Sequence, residues 1–298
     1  MRRRTLLVGG LAVGAGAAGL GLAAADDRLP GETRVRRALG LDGPDGAVPA
    51  VPAGAVRVDS VVSRARGRRV ELAIMLPAGH SASGLDAVVA LPGRSGSARA
   101  MVDFGLPQFL TAAVRAGVPP FALVSLGDAD YWNSRTPGDD PQAMLAEELP
   151  GWLAARGLGG TVGGAPRAAF GISAGGFGAL RYARSRPDLA AVAGVSAAMF
   201  LSWSDASSRH EFTSEADWQA NEPLRHVDEL RVPLGVWCGA EDPFVTAARR
   251  LAKRGHAEVA AFASGAHATG YWRRVMPDVL RFIGDHLRSP AASPTTAH

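Results

Sequence analysis

Gly171-Ile172-Ser173-Ala174-Gly175 is the only G-x-S-x-G in the 298-residue sequence. An apolar, β-type run from Arg167 to Ile172 leads into it, and a small-residue helical stretch from Gly175 to Arg184 leads out. In that context a serine sits on a strained strand-to-helix turn, with its hydroxyl lifted clear of the sheet. Side chains two before and two after the serine would collide, and both positions are glycine. The N–H of Ala174, at the start of the following helix, is placed to donate to an oxyanion. Near misses around Ser95 and Ser196 lack the strand leading in and the helix leading out. The chemistry predicted is nucleophilic attack by Ser173.

A serine hydroxyl attacks only when a base takes its proton. After a strand–serine–helix elbow the chain order is serine, acid, histidine. Downstream, an apolar run ends at Cys238 and enters Gly239-Ala240-Glu241-Asp242-Pro243, so a carboxylate stands just past a strand end. Asp242 is the expected acid, with Glu241 in the same turn as the reserve. The last predicted strand ends in Ser264-Gly265-Ala266-His267, which makes His267 the expected base. His256 lies before that strand, at its wrong end. His286 lies inside a terminal helix, and His210 and His226 lie in an inserted segment. A second oxyanion donor is expected from Leu91-Pro92-Gly93-Arg94-Ser95-Gly96, with the Arg94 N–H first and Ser95 next. Trp132 and Arg135, with Ser95 and Asp130, are candidates to line the substrate site.

These residues need a scaffold. Val56 to Val62 and Val70 to Leu76 read as a hairpin. Strands follow at Asp86–Leu91, Phe121–Leu126, Arg167–Ile172, Ala190–Ser196, Pro233–Cys238 and Val259–Ala263. Helices are expected at Ala100–Arg115, interrupted near Pro107, and at Pro141–Ala155, kinked at Pro150. Further helices are expected at Gly175–Arg184, Val245–Arg254 and Tyr271–Leu287. An antiparallel pair followed by alternating strands and helices predicts an α/β domain with about eight strands, mostly parallel, and helices on both faces. Ligands on such sheets bind beyond the carboxyl ends of the strands, where all the candidate residues lie. Residues 199–230 are too long for a simple connection and read as a small cap.

Together the serine segment through Leu180, the loop at Asp242, and His267 with Tyr271-Trp272 resemble the esterase D-like branch of the α/β-hydrolases. That branch includes the mycobacterial mycolyltransferases. The resemblance runs over roughly residues 55 to 288. It implies an α/β-hydrolase fold and carboxylic-ester chemistry through an acyl-serine, without metal or cofactor. Some relatives pass the acyl group to a sugar hydroxyl, so an acyltransferase is the alternative. An aspartate at the acid position, where mycolyltransferases usually present glutamate, argues for the plainer esterases. A catalytically silent envelope binding protein on the same scaffold is the alternative from another class.

Composition narrows the rest. Apolar residues make up 47% of the chain and the net charge is only +4, with Lys253 the sole lysine. The arginines are interspersed with acids, so no nucleic-acid partner is expected. Cys238 is the only cysteine, which rules out an intramolecular disulfide and reads as a small core residue. No Walker loop, HExxH or paired metal-ligand motif occurs. Arg2-Arg3-Arg4-Thr5-Leu6-Leu7 followed by a Gly/Ala/Leu-rich run to Ala25 reads as an export signal of twin-arginine type, with an uncleaved membrane anchor as the alternative. The expected location is therefore periplasmic, cell-envelope or secreted, and the expected partner a small-molecule or lipid ester. Residues 26–53 read as a linker, 54–288 as the domain and 289–298 as a frayed tail.

Overall fold

The computed structural model describes residues 42–127, 131–159 and 163–288. The expected export segment, Asp130 and the C-terminal tail lie outside the described residues.

The centre of the molecule is an eight-stranded sheet in the order β1-β2-β4-β3-β5-β6-β7-β8. The strands are β1 Val56–Ser63, β2 Arg68–Met75, β3 Ala87–Leu91, β4 Ala122–Leu126, β5 Ala168–Ile172, β6 Ala191–Val195, β7 Leu234–Trp237 and β8 Val259–Ala261. β1 and β2 pair antiparallel, β2 meets β4 antiparallel, and every other neighbouring pair is parallel. The five strands from β3 to β7 are buried along their whole length. Unbroken runs such as Ala-Val-Val-Ala-Leu in β3 suit a parallel sheet covered on both faces. Their side chains alternate between two cores: Val89 and Leu91 join one, Val88 and Ala90 the other.

The second of those cores holds α1 (Ala98–Asp103), α2 (Leu106–Arg115) and α8 (Thr269–Leu287) against the sheet. The first holds α3 (residues 141–154), α4 (Ala174–Arg184), α7 (Val245–Arg254) and the cap. Two helical expectations are corrected in detail. The break between α1 and α2 falls at Gly105, whose φ of 104° is open to glycine and where a Cβ would lie 2.7 Å from Val48. Pro107 sits in the first turn of α2, where its missing N–H costs nothing. In α3 the irregularity before Pro150 is a π turn over Met144–Glu148, closed by the Leu149 N–H on the Met144 carbonyl.

Residues 42–53, read from sequence as linker, lie against the domain. The Gly46 N–H donates to the Gly270 carbonyl, and Arg274 reaches the carbonyl of Pro44. Residues 199–230 form α5 (Trp203–Ser207), α6 (Glu215–Asn221) and two 3₁₀ turns, Pro223–Arg225 and Val227–Glu229. Ser202 and Ser214 cap the two helices by accepting from the N–H groups of Asp205 and Asp217.

Candidate active site

β5 is apolar throughout and lies between β3 and β6, with Gly171 opposite Leu91 and Ile172 opposite Val195. Ser173 follows it with φ 56° and ψ −122°, a conformation that non-glycine residues occupy only when their surroundings over-determine it. The surroundings do so here. The Ser173 N–H donates to the Val195 carbonyl at 2.9 Å, and the Ser173 carbonyl accepts from the N–H groups of Gly176, Phe177 and Ala198. A Cβ on Gly171 would lie 2.0 Å from the Gly175 carbonyl oxygen. One on Gly175 would lie 2.0 Å from the carbonyl of Leu91, at the end of β3. The second glycine therefore serves less to clear the first than to let α4 dock against the loop that leaves β3.

The three residues read as a triad converge. His267 Nε2 is 2.9 Å from Ser173 Oγ, and His267 Nδ1 is 2.8 Å from Asp242 Oδ2. Asp242 is 1% exposed, and its other oxygen accepts the Phe244 N–H at 2.9 Å. A buried carboxylate with both oxygens engaged fixes the imidazole it faces. Phe244 and Trp272 present edges to the His267 ring at 5.3 and 5.0 Å. Glu241, the reserve acid, turns elsewhere: its Oε2 accepts the Gly265 N–H at 2.6 Å and so braces the loop that carries His267.

Ser173 and His267 line a cleft of about 450 Å³. The Pro92–Gly96 loop forms one rim, and a Cβ on Gly93 would lie 3.5 Å from Ser173 Cβ, so this backbone lies beside the serine. Ala174 opens α4, so its N–H comes before the first bonds of the helix, which the Gly176 and Phe177 N–H groups make to the Ser173 carbonyl. The Arg94 side chain lines the cleft and pairs with Glu211 at 3.2 Å.

Three expected substrate contacts are placed otherwise. Trp132 does not line the cleft. It is fully buried, its ring lies over Gly178, and its Nε1–H donates to the Pro92 carbonyl at 3.2 Å, bracing the rim from behind. Its size and apolar surface drew it into the core. Arg135 turns to Glu211 at 3.5 Å and lies outside the cleft. Ser95, with φ 55°, is an exposed turn residue whose side chain is not part of the lining. Tyr131, Arg209, Phe244 and Trp272 line the cleft instead. Trp272 belongs to the His267 segment already singled out, Tyr131 and Phe244 stand beside Trp132 and the Asp242-Pro243 turn, and Arg209 lies in the inserted segment with no motif of its own.

Cys238 is fully buried, and burial, aided by the nearby Asp242, pushes its thiol up, which fits a core residue. Behind the site, the loop after β6 is held by Glu222, which is completely buried and accepts N–H donors from Phe200, Leu224 and the Trp218 indole. Burial pushes its carboxyl up to about 7 despite those donors. Among the described residues no group of three or more His, Cys, Asp or Glu side chains is placed to hold a metal ion.

The fold recurs in solved structures at low sequence identity. A ferulic acid esterase superposes with a TM-score of 0.67 at 18% identity, over 79% of this chain and 99% of its own. An S-formylglutathione hydrolase from Agrobacterium tumefaciens gives 0.61 at 16%, over 81% and 98%. The fluorophosphonate-binding serine hydrolase F of Staphylococcus aureus gives 0.60 at 15%, over 78% and 99%. No curated protein sequence matches the chain. The family model described as "Putative esterase" matches residues 63–283, well over half of the sequence, and this chain belongs to that family of α/β-hydrolases.

Proposed function

We propose that the chain is a serine carboxylesterase that works through an acyl-serine on Ser173, with His267 as the base and Asp242 as its orienting acid. The observation that carries this reading is the unbroken relay from Ser173 Oγ to His267 Nε2 at 2.9 Å and from His267 Nδ1 to Asp242 Oδ2 at 2.8 Å. Membership of an esterase family supports carboxylic esters as the substrate class.

Asp242 accepts a hydrogen bond from the Nδ1–H of His267, which leaves Nε2 unprotonated to take the serine proton as Oγ attacks the ester carbonyl. The negative charge that develops on the carbonyl oxygen faces the Ala174 N–H at the start of α4, with the Arg94 N–H as the second donor. Collapse of that intermediate expels the alcohol, which takes its proton from His267. Water then attacks the acyl-serine with His267 again as base, and Ser173 is restored.

Labelling of the purified protein by a fluorophosphonate probe, with the modified residue mapped by mass spectrometry, tests the reading. Modification at Ser173 is expected, and none in the Ser173→Ala variant. A correctly folded protein that neither labels nor turns over any of a broad ester panel would overturn it. The N-terminal segment supports a further proposal of export, which cell fractionation and N-terminal sequencing of the mature protein would check.

A further inference from the structure

The cleft has two unlike walls. One side, formed by α1, the end of β5 and α8, is apolar apart from Thr269, with Met101, Phe104, Ile172 and Trp272. On the cap side stand Phe244 and the guanidinium of Arg209, whose central carbon is 6.0 Å from the Phe244 ring centre. Among the described residues that line the cleft there is no aspartate or glutamate. Arg94 shares the single carboxylate of Glu211 with Arg135. Arg209 pairs with no described carboxylate, and the Phe244 ring is the partner its guanidinium has.

Arg209 is nonetheless held in place. Its N–H donates to the Ala206 carbonyl at 3.1 Å, just past the end of α5. Two residues on, Glu211 is buried and tied to both Arg94 and Arg135. Arg209 is a partly buried residue. Such a residue has lost part of its hydration while keeping a planar fork of donors that matches a carboxylate. The cation–π contact restores only part of what was lost.

We infer that Arg209 binds an anionic group of the substrate. The preferred ester then carries a carboxylate-type anion on one side of the scissile bond and an apolar group on the other. This rests on Ser173 as the nucleophile, because it is the serine that places the ester between the two walls.

Two matched pairs of esters test it. p-Nitrophenyl hemiglutarate against p-nitrophenyl pentanoate puts the charge on the acyl side, and 4-carboxyphenyl acetate against phenyl acetate puts it on the alcohol side. kcat/KM is measured for the wild type, Arg209→Gln and Arg209→Lys at low and high salt. The wild type is expected to favour the anionic member of one pair. In Arg209→Gln that anionic-to-neutral ratio should fall about ten- to a hundredfold, the range for a hydrogen bond to a charged group. Lysine should restore part of the ratio, and salt should shrink it. No anionic preference in either pair, or a ratio that Arg209→Gln leaves intact, would overturn the inference. The second result would mean that Arg209 only stacks on Phe244 and steadies His267. Failure of the nucleophile reading would look different: neither neutral ester would be turned over, and Ser173 would not label.

Discussion

Ser173, Asp242 and His267 stand on loops whose backbones are bonded to neighbouring strands or to one another, whereas the cap over residues 199–230 is held chiefly by buried side chains. Ser173 is tied to Val195 of β6, the Ala240 N–H to the Ala263 carbonyl, and the Glu241 N–H to the Gly265 carbonyl. Across the cleft, Glu211 links the cap to Arg94 and Arg135, and Glu222 gathers Phe200, Leu224 and Trp218. Backbone pairing between parallel strands leaves little choice of position, because register and spacing are set by the ladder. Side-chain anchors can be exchanged without disturbing that ladder. The proposed reaction chemistry thus stands on backbone-paired loops, and the proposed anion contact, Arg209, on the part anchored by side chains.

The largest effect should come from breaking the relay itself. Ser173→Ala is expected to lower kcat on the order of 10⁴-fold or more, with the thermal midpoint nearly unchanged. Asp242→Asn should cost almost as much, because it removes the acceptor that sets the histidine tautomer. Glu241→Gln should cost only about tenfold, since its carboxylate positions the Gly265 backbone and not the imidazole. Steady-state kinetics on a neutral ester would rank the three. If Asp242→Asn were near wild type and Glu241→Gln inactive, the acid would be Glu241.

The cap side should respond in stability before it responds in rate. Burial raises the Glu222 carboxyl from 4.5 to about 7, so the folded state holds a proton that the unfolded chain releases. Its contribution is therefore complete below about pH 4.5 and is lost as the pH rises toward 7, a change on the order of 3 kcal/mol for that interval. Thermal unfolding followed from pH 4.5 to 8 should show this decline, and Glu222→Gln should flatten it. A variant with the same slope as the wild type would assign the pH dependence to other groups.

The smallest effect is expected at Glu211. Arg94 and Arg135 are each about half exposed, at 47% and 45%, so either can turn to water when the carboxylate is lost. Glu211→Gln should raise KM by a few fold while kcat stays within about threefold, as expected when partly exposed ion pairs are removed. A loss of kcat comparable to that of Asp242→Asn would show that the cap takes part in the chemistry as directly as the proposed relay, and the contrast between the two regions would fail.

Much of this was legible in the linear sequence. The buried runs of β3 to β7 announced a parallel sheet covered on both faces, and the single strand–serine–helix pattern announced Ser173 and Ala174. Strand ends and chain order then selected Asp242 and His267 from among several acids and histidines. The contacts made by long side chains were not legible. Trp132 looked like a substrate residue because it follows a strand on the active edge, yet the space above Gly178 made it a brace for Pro92. Arg135 was read as a candidate to line the substrate site, and only the fold brings Glu211 to it from the cap.

What the sequence by itself determined is the local geometry that sterics enforce: glycines where a Cβ would strike backbone, apolar runs where both sheet faces are covered, and the order of serine, acid and histidine. What only the tertiary structure decided is pairing between distant segments. It turned Asp242 and not Glu241 toward His267, and it set Arg209 in the cleft with an aromatic ring as its partner. Backbone conformation follows from near neighbours along the chain. The partner of a charged side chain depends on which segments the folded sheet brings within a few ångströms of it.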